Sequence, residues 1–327
     1  MNVTHMSSAI AIDNVRPDKD LSVCASRRYF AFRRLAAIAT KEFGDQFRSG
    51  WVLACMLVWI GAVGLTSFFG LLQIGQIGLQ GFERTAVSLL NLVQFLVPLL
   101  GLLMGHDLIV GETENRTLRL ILAAGVPRNH LLLGKFIGGC LTLSVPLALG
   151  FGIAGFAIAL SAGVQSLAPF LKLACSGLVL GVLFLALGVA LSAFSRTRVQ
   201  ALVLALLAWG FAVFAFDLAA LGMMVSTKAT AAYHEIEIVC DATHLNAAAD
   251  LHSAYDYVAD AQSPAQPAKQ VGSLGWLALN PVDVFRAINL PAQFEIRVPW
   301  TNIGLSIAGW LAFTLGAAAW KVRRSDF

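Results

Sequence analysis

The chain has 327 residues, of which 57% are hydrophobic and only 13% are charged, and its mean hydropathy is +0.73. A soluble globular domain carries about 25% charged residues, so this composition excludes an ordinary cytosolic enzyme, and its hydrophobicity excludes intrinsic disorder. The net charge of +4 is too small to indicate nucleic-acid binding. We therefore predict an all-α integral membrane protein.

Residues 1–48 are predicted to be a cytoplasmic leader that ends in an interfacial helix. Between residues 27 and 48, five apolar side chains recur at helical spacing, and the basic side chains lie mostly off that stripe. The five are Phe32, Leu35, Ala39, Phe43 and Phe47. Such a helix would lie along the headgroups with its basic side chains on anionic lipid. A solvated basic leader is the alternative interpretation.

The remaining chain, residues 49–327, is predicted to be one transmembrane domain. A spanning helix needs roughly 20 mostly apolar residues, and six segments meet that requirement. They lie at about residues 51–72, 85–106, 136–160, 173–195, 199–225 and 298–320. We expect helices rather than barrel strands, because lipid offers the backbone no hydrogen-bond partners and the sequence shows no strand-like alternation.

The basic residues predict the orientation of these spans. Most of the 23 lysines and arginines lie in the two terminal segments and in the loops after the second and fourth spans. Because basic loops remain in the cytoplasm, we predict a multi-pass protein of the cell inner membrane with both termini cytoplasmic.

Two of the predicted spans carry glycine pairs at a spacing of four. Gly101 and Gly105 lie in the second span, and Gly177 and Gly181 lie in the fourth. Small residues at this spacing are typical of faces where membrane helices approach closely.

The loop after the second span contains a short amphipathic pattern. Leu118, Ile121 and Leu122 lie at i, i+3 and i+4, and Glu112 and Glu114 precede them, where carboxylates favour the positive end of a helix dipole. From the spacing alone, two interpretations stay open. The segment is either a helix that docks onto a soluble partner or a capped interfacial turn.

An ordered set of motifs resembles ABC-2 type transporter permeases. The run Asp107–Glu114 (DLIVGETE), the pair Thr117-Leu118, the turn Pro127-Arg128 and the run Leu132–Lys135 resemble the coupling-helix region of that family. Pro127 is followed directly by Arg128, whereas the family spaces these residues apart. The basic segment at residues 33–48 resembles the family's N-terminal elbow helix, as the basic ending after the last span resembles its C-terminus. The resemblance covers the chain apart from residues 1–26 and 226–275.

The resemblance implies a non-catalytic permease subunit that works as a homodimer. Each copy would dock on a separate ABC ATPase subunit, which would hold ATP and Mg²⁺, so this chain is expected to bind no cofactor itself. Glu112 and Glu114 would be the ATPase-coupling contacts, with Arg116, Leu118 and Arg128 in support.

The sequence agrees that the ATPase lies elsewhere. A phosphate-binding loop reads G-x-x-x-x-G-K-[ST], and the nearest match, Gly134-Lys135, is followed by Phe136 instead of a hydroxyl residue. We interpret this pair as a helix start with a lysine that extends to the membrane surface.

Within the family, two runs resemble permeases that assist copper-site maturation of nitrous-oxide reductase. They are Gly105–Glu112 and Leu279–Leu290. This resemblance implies a role in maturing a periplasmic metalloenzyme. Two alternatives stay open: export of a lipid or small amphipathic compound, and a membrane scaffold that does not couple to ATP.

Residues 226–297 are predicted to form a long extracytoplasmic loop before the last helix. Connections of this length are usually functional or disordered, so the loop is a candidate contact for a periplasmic partner. Cys240 and His244 lie at i and i+4 within it, and thiolate and imidazole suit Cu(I). Histidines scattered on a polar helix are the alternative interpretation, in which no copper binds.

Two aspartates are candidates for charges embedded in the membrane, where such residues are often functional. Asp107 follows the second span, and pairing with a base at headgroup level is its alternative role. Asp217 lies toward the outer end of the fifth span, where it either lines a dimer cavity or marks the end of the span.

Overall fold

Long apolar runs fold into helices throughout the part of the chain that the structure, a computed structural model, describes. The described residues are 33–77, 80–117, 123, 127–162, 167–215, 218, 280–289 and 300–324. Their helices are α1 (33–47), α2 (Gly50–Ile77), α3 (Gln80–Gly105), α4 (Val110–Glu114), α5 (Arg128–Ala162), α6 (Leu167–Phe194), α7 (Arg198–Gly210, continued by a π-helical turn at Phe211–Ala215), α8 (Pro281–Asn289) and α9 (Trp300–Arg324).

Five stretches within the described ranges are long and apolar enough to cross a membrane. They are Gly50–Phe68, Ser88–Glu114, Arg128–Leu160, Leu167–Phe194 and Trp300–Arg324. Large apolar side chains such as Leu57 and Phe313 are more than 70% exposed on their outer faces, as expected for a surface solvated by lipid. The membrane-protein prediction is therefore confirmed, with five of the six predicted spans present.

The fifth predicted span is present as a shorter apolar helix. It covers Arg198–Phe214, which includes α7 and most of the π-helical turn. Asp217 and residues 219–225 lie outside the described residues. A complete membrane crossing by the fifth predicted span thus stays a prediction.

Glycine faces bring α3 and α6 into backbone contact. A Cβ at Gly101 would lie 2.6 Å from the carbonyl oxygen of Gly181, and a Cβ at Gly105 would lie 2.7 Å from that of Leu185. A Cβ at Gly188 on α6 would lie 2.9 Å from the carbonyl oxygen of Leu102 on α3. The predicted close approach is confirmed, and the two glycine-bearing helices are partners of each other.

An aromatic cluster joins α2, α5 and α6. The fully buried Trp59 meets Phe151 edge-on with ring centroids 5.5 Å apart, and Phe151 meets Phe170 at 6.3 Å. Gly150 leaves the room that the Trp59 indole occupies. These rings form part of a core that also contains Leu143, Leu147 and Phe184.

The short helix α8 lies inside the helical bundle. Its first turn is capped by Asn280, whose Oδ1 accepts from the Val282 N–H at 3.2 Å. Val282 and Phe285 are buried, and the helix packs on α3, α6 and α9. This part of the predicted extracytoplasmic loop is thus packed in the membrane domain, whereas residues 226–279 and 290–297 lie outside the described residues.

Candidate functional site

Charged side chains converge at one end of the bundle, which we call the charged end. It is formed by α1, α4, the starts of α5 and α7, and the last turn of α9. The pairs that join these elements involve Glu42, Asp107, Glu112, Glu114, Arg128, Lys135 and Arg198.

A buried serine on α6 fixes the start of α4. The chain leaves α3 at Gly105, turns, and enters α4 at Val110. The first amides of a helix have no acceptor within it, and here Ser192 Oγ accepts from the N–H groups of Ile109 at 3.1 Å and Val110 at 3.0 Å. Because Ser192 is 1% exposed, α6 holds α4 through a contact that water does not replace.

Glu112 belongs to a buried ion-pair triad. Lys135 Nζ on α5 lies 3.0 Å from Glu112 Oε1 and 2.6 Å from Glu42 Oε2 on α1. The Lys135 side chain is 4% exposed and the two glutamates are 12% and 16% exposed. The prediction of a helix start with a lysine reaching the surface was wrong, because α5 begins at Arg128 and Lys135 is enclosed between two carboxylates.

Two glycines let α1 pack closely against α5 beside this triad. A Cβ at Gly134 would lie 2.7 Å from Ile38 Cγ2, and a Cβ at Gly138 would lie 2.7 Å from Glu42 Cβ. The small-xxx-small spacing of these glycines thus forms a groove for α1, and Lys135 lies between them in the sequence.

The outer face of α1 carries a separate, exposed ion pair. Lys41 Nζ lies 2.9 Å from Asp45 Oδ2, and both side chains are more than 60% exposed. The hydrogen bond to Asp45 raises the pKa of Lys41 above its ordinary value, with support from the charges of Glu112 and Glu42. Exposed pairs of this kind contribute about 0–1 kcal/mol to stability.

Glu114 contacts the start of α7. Its Oε1 accepts from the backbone N–H of Arg198 at 2.9 Å, and its Oε2 lies 3.2 Å from Arg198 Nε. The same Nε lies 3.1 Å from Asp107 Oδ1, and Nη2 donates to the Gly111 carbonyl at 3.4 Å. These side chains are one-third to one-half exposed, so this cluster is more hydrated than the Lys135 triad.

The two glutamates of α4 face different helices. Residues at i and i+2 on a helix lie roughly 200° apart around its axis, so Glu112 and Glu114 point to opposite sides. Glu112 pairs with Lys135 on α5, which also pairs with Glu42 on α1, and Glu114 contacts α7. Movement of α4 would therefore act directly on α5, α6 and α7, and on α1 through Lys135.

Arg128 joins the start of α5 to the end of α9. Its Nη1 donates to the carbonyls of Val322 at 2.9 Å and Arg323 at 2.7 Å, which lie in the last turn of α9. Arg323 Nε in turn donates to Asn129 Oδ1 at 3.0 Å. Cations favour the C-terminal end of a helix, so Arg128 caps α9.

Arg116, two residues after the end of α4, has a left-handed backbone conformation. Its φ is 58°, a region that side chains other than glycine adopt at a cost of roughly 1–2 kcal/mol. Arg116 is exposed.

Residues 36–321 match the family described as ABC-2 family transporter protein. A probable ABC transporter permease protein NosY of Pseudomonas aeruginosa is 34% identical over 305 residues, which cover 88% of this chain and 97% of that protein. A probable ABC transporter permease protein NosY of Stutzerimonas stutzeri is 39% identical over 196 residues, 58% of this chain and 71% of that protein. The chain belongs to the ABC-2 family of transporter proteins. Its charged end therefore lies in an ABC-2 membrane domain.

The ABC-2 coupling residues predicted from the sequence are found in different settings. Asp107, which was predicted as a membrane-embedded charge and not as a coupling residue, pairs with Arg198 beside α4. Of the coupling residues, Glu112 and Glu114 are on α4 and pair with bases of other helices, whereas Arg128 contacts α9 and Arg116 is exposed. Leu118 lies outside the described residues. The role of each in coupling stays a prediction.

The predicted metal ligands Cys240 and His244, and the membrane aspartate Asp217, also fall outside the described residues. Across the portion that the structure describes, no group of three or more His, Cys, Asp or Glu side chains could hold a metal ion.

Sequence reasoning missed four residues of the charged end. They are Glu42, Lys135, Ser192 and Arg198. A lysine flanked by the glycines of a G-x-x-x-G spacing was a usable signal for Lys135. For Arg198, the signal was the preceding Thr197, whose hydroxyl caps α7 by accepting from the Gln200 N–H at 3.2 Å.

A second polar cluster surrounds α8, deep in the bundle. Arg286 Nε donates to Gln94 Oε1 on α3 at 2.7 Å, and its Nη1 lies 3.3 Å from Asp283 Oδ1. Asn280 Nδ2 donates to Asp283 Oδ2 at 3.0 Å and to the Ala212 carbonyl at 2.9 Å. Ala212 lies in the π-helical turn after α7, so α8 links that turn to α3.

Proposed function

We propose that this chain is the permease subunit of an ABC-2 transporter complex and that its charged end faces a separate ATPase subunit in the cytoplasm. ATP hydrolysis by that subunit would move α4 and the loop that follows it. The observation that carries this proposal is the position of Glu112 and Glu114, which are on one short helix between two spans and are paired with bases of two other helices. Membership of the ABC-2 family and the concentration of basic residues at this end support it.

The charged end suits this role mechanically. α4 has only five residues, of which Val110 and Gly111 are buried. Its contacts with Ser192, Lys135 and Arg198 lie on α6, α5 and α7. A push on α4 is thereby distributed over the helices that form the transmembrane bundle.

The test begins with purification of the tagged chain from its native host. We expect an ABC ATPase to co-purify in a fixed stoichiometry, and we expect the chain to be present as two copies per complex. Absence of an ATPase under conditions that preserve the chain's fold would favour the scaffold alternative.

The coupling contacts are then tested in the reconstituted complex. Glu112→Gln together with Glu114→Gln should leave assembly largely intact but reduce the permease's effect on ATPase turnover at least several-fold. Arg116→Gly removes the guanidinium while keeping the left-handed backbone that glycine tolerates, so it reports on that side chain alone. Unchanged coupling in the double variant would contradict the proposal.

We further propose that the complex serves maturation of a periplasmic metalloenzyme, with copper as the metal concerned. The names of the two relatives and the resemblance of the runs Gly105–Glu112 and Leu279–Leu290 support this assignment. Residues 226–279 would then meet a periplasmic partner.

Deletion of the gene should lower the copper content of that periplasmic enzyme, and the wild-type gene should restore it. Complementation with Cys240→Ala and His244→Ala tests the proposed ligands. Normal copper loading in that double variant would remove the ligands from the proposal but leave the permease role intact.

A further inference from the structure

We propose that the two glutamates of α4 control different movements: Glu112 acts through Lys135 and Glu42 on α5 and α1, and Glu114 acts through Arg198 on α7. This inference rests on the proposed coupling function and assigns Lys135, Glu42 and Arg198 as positioning residues. It follows from the opposite directions of the two side chains and from the absence of a shared base in the ion pairs described for them.

The contacts from Glu112 through Lys135 to Glu42, which we call the Glu112 branch, form a rigid connection. Its three charges are nearly enclosed, with Lys135 only 4% exposed, and buried charges are screened less than exposed ones. The glycine groove at Gly134 and Gly138 holds α1 in backbone contact with α5. A displacement of Lys135 therefore moves α1 and α5 together.

The contacts from Glu114 to Arg198, which we call the Glu114 branch, involve the backbone and are more exposed than those of the Glu112 branch. Glu114 accepts from the backbone N–H of Arg198 as well as contacting its side chain, so it contacts the first residue of α7 directly. The pair is one-third to one-half exposed and hence more sensitive to salt. α7 continues into the π-helical turn, whose Ala212 carbonyl binds Asn280 next to α8. This branch leads toward the opposite end of the bundle.

The experiment uses the full complex with its ATPase in lipid nanodiscs. Amide hydrogen exchange is followed for peptides covering residues 33–47 and 198–210, first without nucleotide and then after trapping with ATP, Mg²⁺ and vanadate. Exchange reports local opening of a helix. In the wild-type complex we expect a nucleotide-dependent change in both peptides.

The single variants should separate the two changes. Glu112→Gln should reduce the change in peptide 33–47 at least twofold and leave that in peptide 198–210 intact. Glu114→Gln should have the reverse effect. Asp45→Asn is the matched control, because it removes a carboxylate from α1 whose ion pair within the described part of the chain is the exposed one with Lys41.

Crossed double variants distinguish positioning from a general structural role. For Glu112→Gln combined with Lys135→Met, the loss of the nucleotide-dependent change in exchange should be no greater than in the more affected of the two single variants. For Glu112→Gln combined with Arg198→Gln, the loss should be the sum of the two single-variant losses. Likewise, Glu114→Gln combined with Arg198→Gln should lose no more than the more affected single variant. Glu114→Gln combined with Lys135→Met should show the sum of the two losses. Effects on residues in one network are non-additive, and effects on separate networks add.

A variant in which the whole triad is uncharged separates loss of the contact from misfolding. Lys135→Met alone leaves two buried carboxylates without their base, which is strongly destabilising. Replacing the whole triad by Glu42→Gln, Lys135→Met and Glu112→Gln leaves no buried charge, so we expect it to fold and still lose the change in peptide 33–47.

Equal losses in both peptides from Glu112→Gln and from Glu114→Gln would overturn the inference, as would an intact change at residues 33–47 in the neutral-triad variant. A different result would contradict the proposed function, namely that the wild-type complex shows no nucleotide-dependent change in either peptide.

Discussion

Ser192 illustrates how one small side chain can hold a coupling element in place. Its hydroxyl is the acceptor for two consecutive N–H groups at the start of α4 and is itself buried on α6. A buried donor that loses its only partner costs about 1–3 kcal/mol. The position of α4 therefore depends on a residue 82 positions away from Val110 in the sequence.

We predict that Ser192→Ala destabilises the charged end by about 1–3 kcal/mol, because two buried amides lose their acceptor. Thermal unfolding of the purified protein and hydrogen exchange at residues 109–114 would measure the effect. Ser195→Ala is the matched control, since among the described residues the Ser195 hydroxyl donates to the Leu191 carbonyl of α6, the helix it follows, and not to α4. Equal behaviour of the two variants would show that Ser192 does not anchor α4.

Lys135 shows why some residue roles could not be predicted. Its flanking sequence indicates a lysine near a membrane surface, and that interpretation is reasonable for an isolated helix. Its partner Glu42 is 93 residues earlier in the chain. Only the packing of α1 into the glycine groove of α5 places that carboxylate within reach.

At the level of whole elements, the contact between α3 and α6 depends on the absence of side chains. The Cβ of an alanine at position 101 would meet backbone atoms of Gly181 and Leu185 rather than flexible side-chain atoms. Relieving this clash therefore requires the two helices to separate, so packing contacts are lost along the whole interface.

We predict that Gly101→Ala destabilises the bundle by about 1–3 kcal/mol through overpacking. Gly152→Ala should be neutral or stabilising by up to about 1 kcal/mol, because a Cβ there meets no atom within 4 Å and alanine favours helices. The melting temperatures of both variants in one detergent provide the comparison. A Gly101→Ala protein as stable as wild type would contradict this close contact.

The helix α8 is held by a buried polar network, and this gives a second prediction for an element. Arg286→Met removes the guanidinium that lies 3.3 Å from Asp283, whose side chain is only 7% exposed. Breaking a buried pair from one side costs about 3–5 kcal/mol. We expect α8 to detach, which limited proteolysis near residues 280–289 would detect.

The double change Asp283→Asn and Arg286→Met is the control for that experiment. It removes both charges, so we expect most of the resistance to proteolysis to return. If the double variant is as sensitive as the single one, charge pairing is not what holds α8.

Elements differed in how far the sequence predicted them. Spans were predictable because lipid requires about 20 apolar residues in a row, and such runs stand out in one dimension. α8 was not, because its nine residues, Pro281–Asn289, are too few to span and include Asp283 and Arg286. Their charges suggested a loop, but partners on α3 and within α8 itself satisfy them inside the bundle.

For the molecule as a whole, the unequal distribution of basic residues predicts an orientation. The charged end should face the cytoplasm, because basic segments resist translocation. In a cysteine-free background, Arg196→Cys, an exposed position between α6 and α7, should react with a membrane-impermeant maleimide only after cells are permeabilised. Ser263→Cys should react in intact cells. The opposite pattern would reverse the orientation and remove α4 from contact with a cytoplasmic ATPase.

The sequence by itself determined that this protein is helical, that it lies in a membrane and that Glu112 and Glu114 follow the second predicted span, at about residues 85–106. These features depend on local composition and periodicity, which a linear sequence displays directly. The tertiary structure decided which bases the glutamates meet, that α1 packs into α5, and that α8 is buried. Those outcomes depend on contacts between residues far apart in the chain, where a glycine in one helix makes room for a side chain from another.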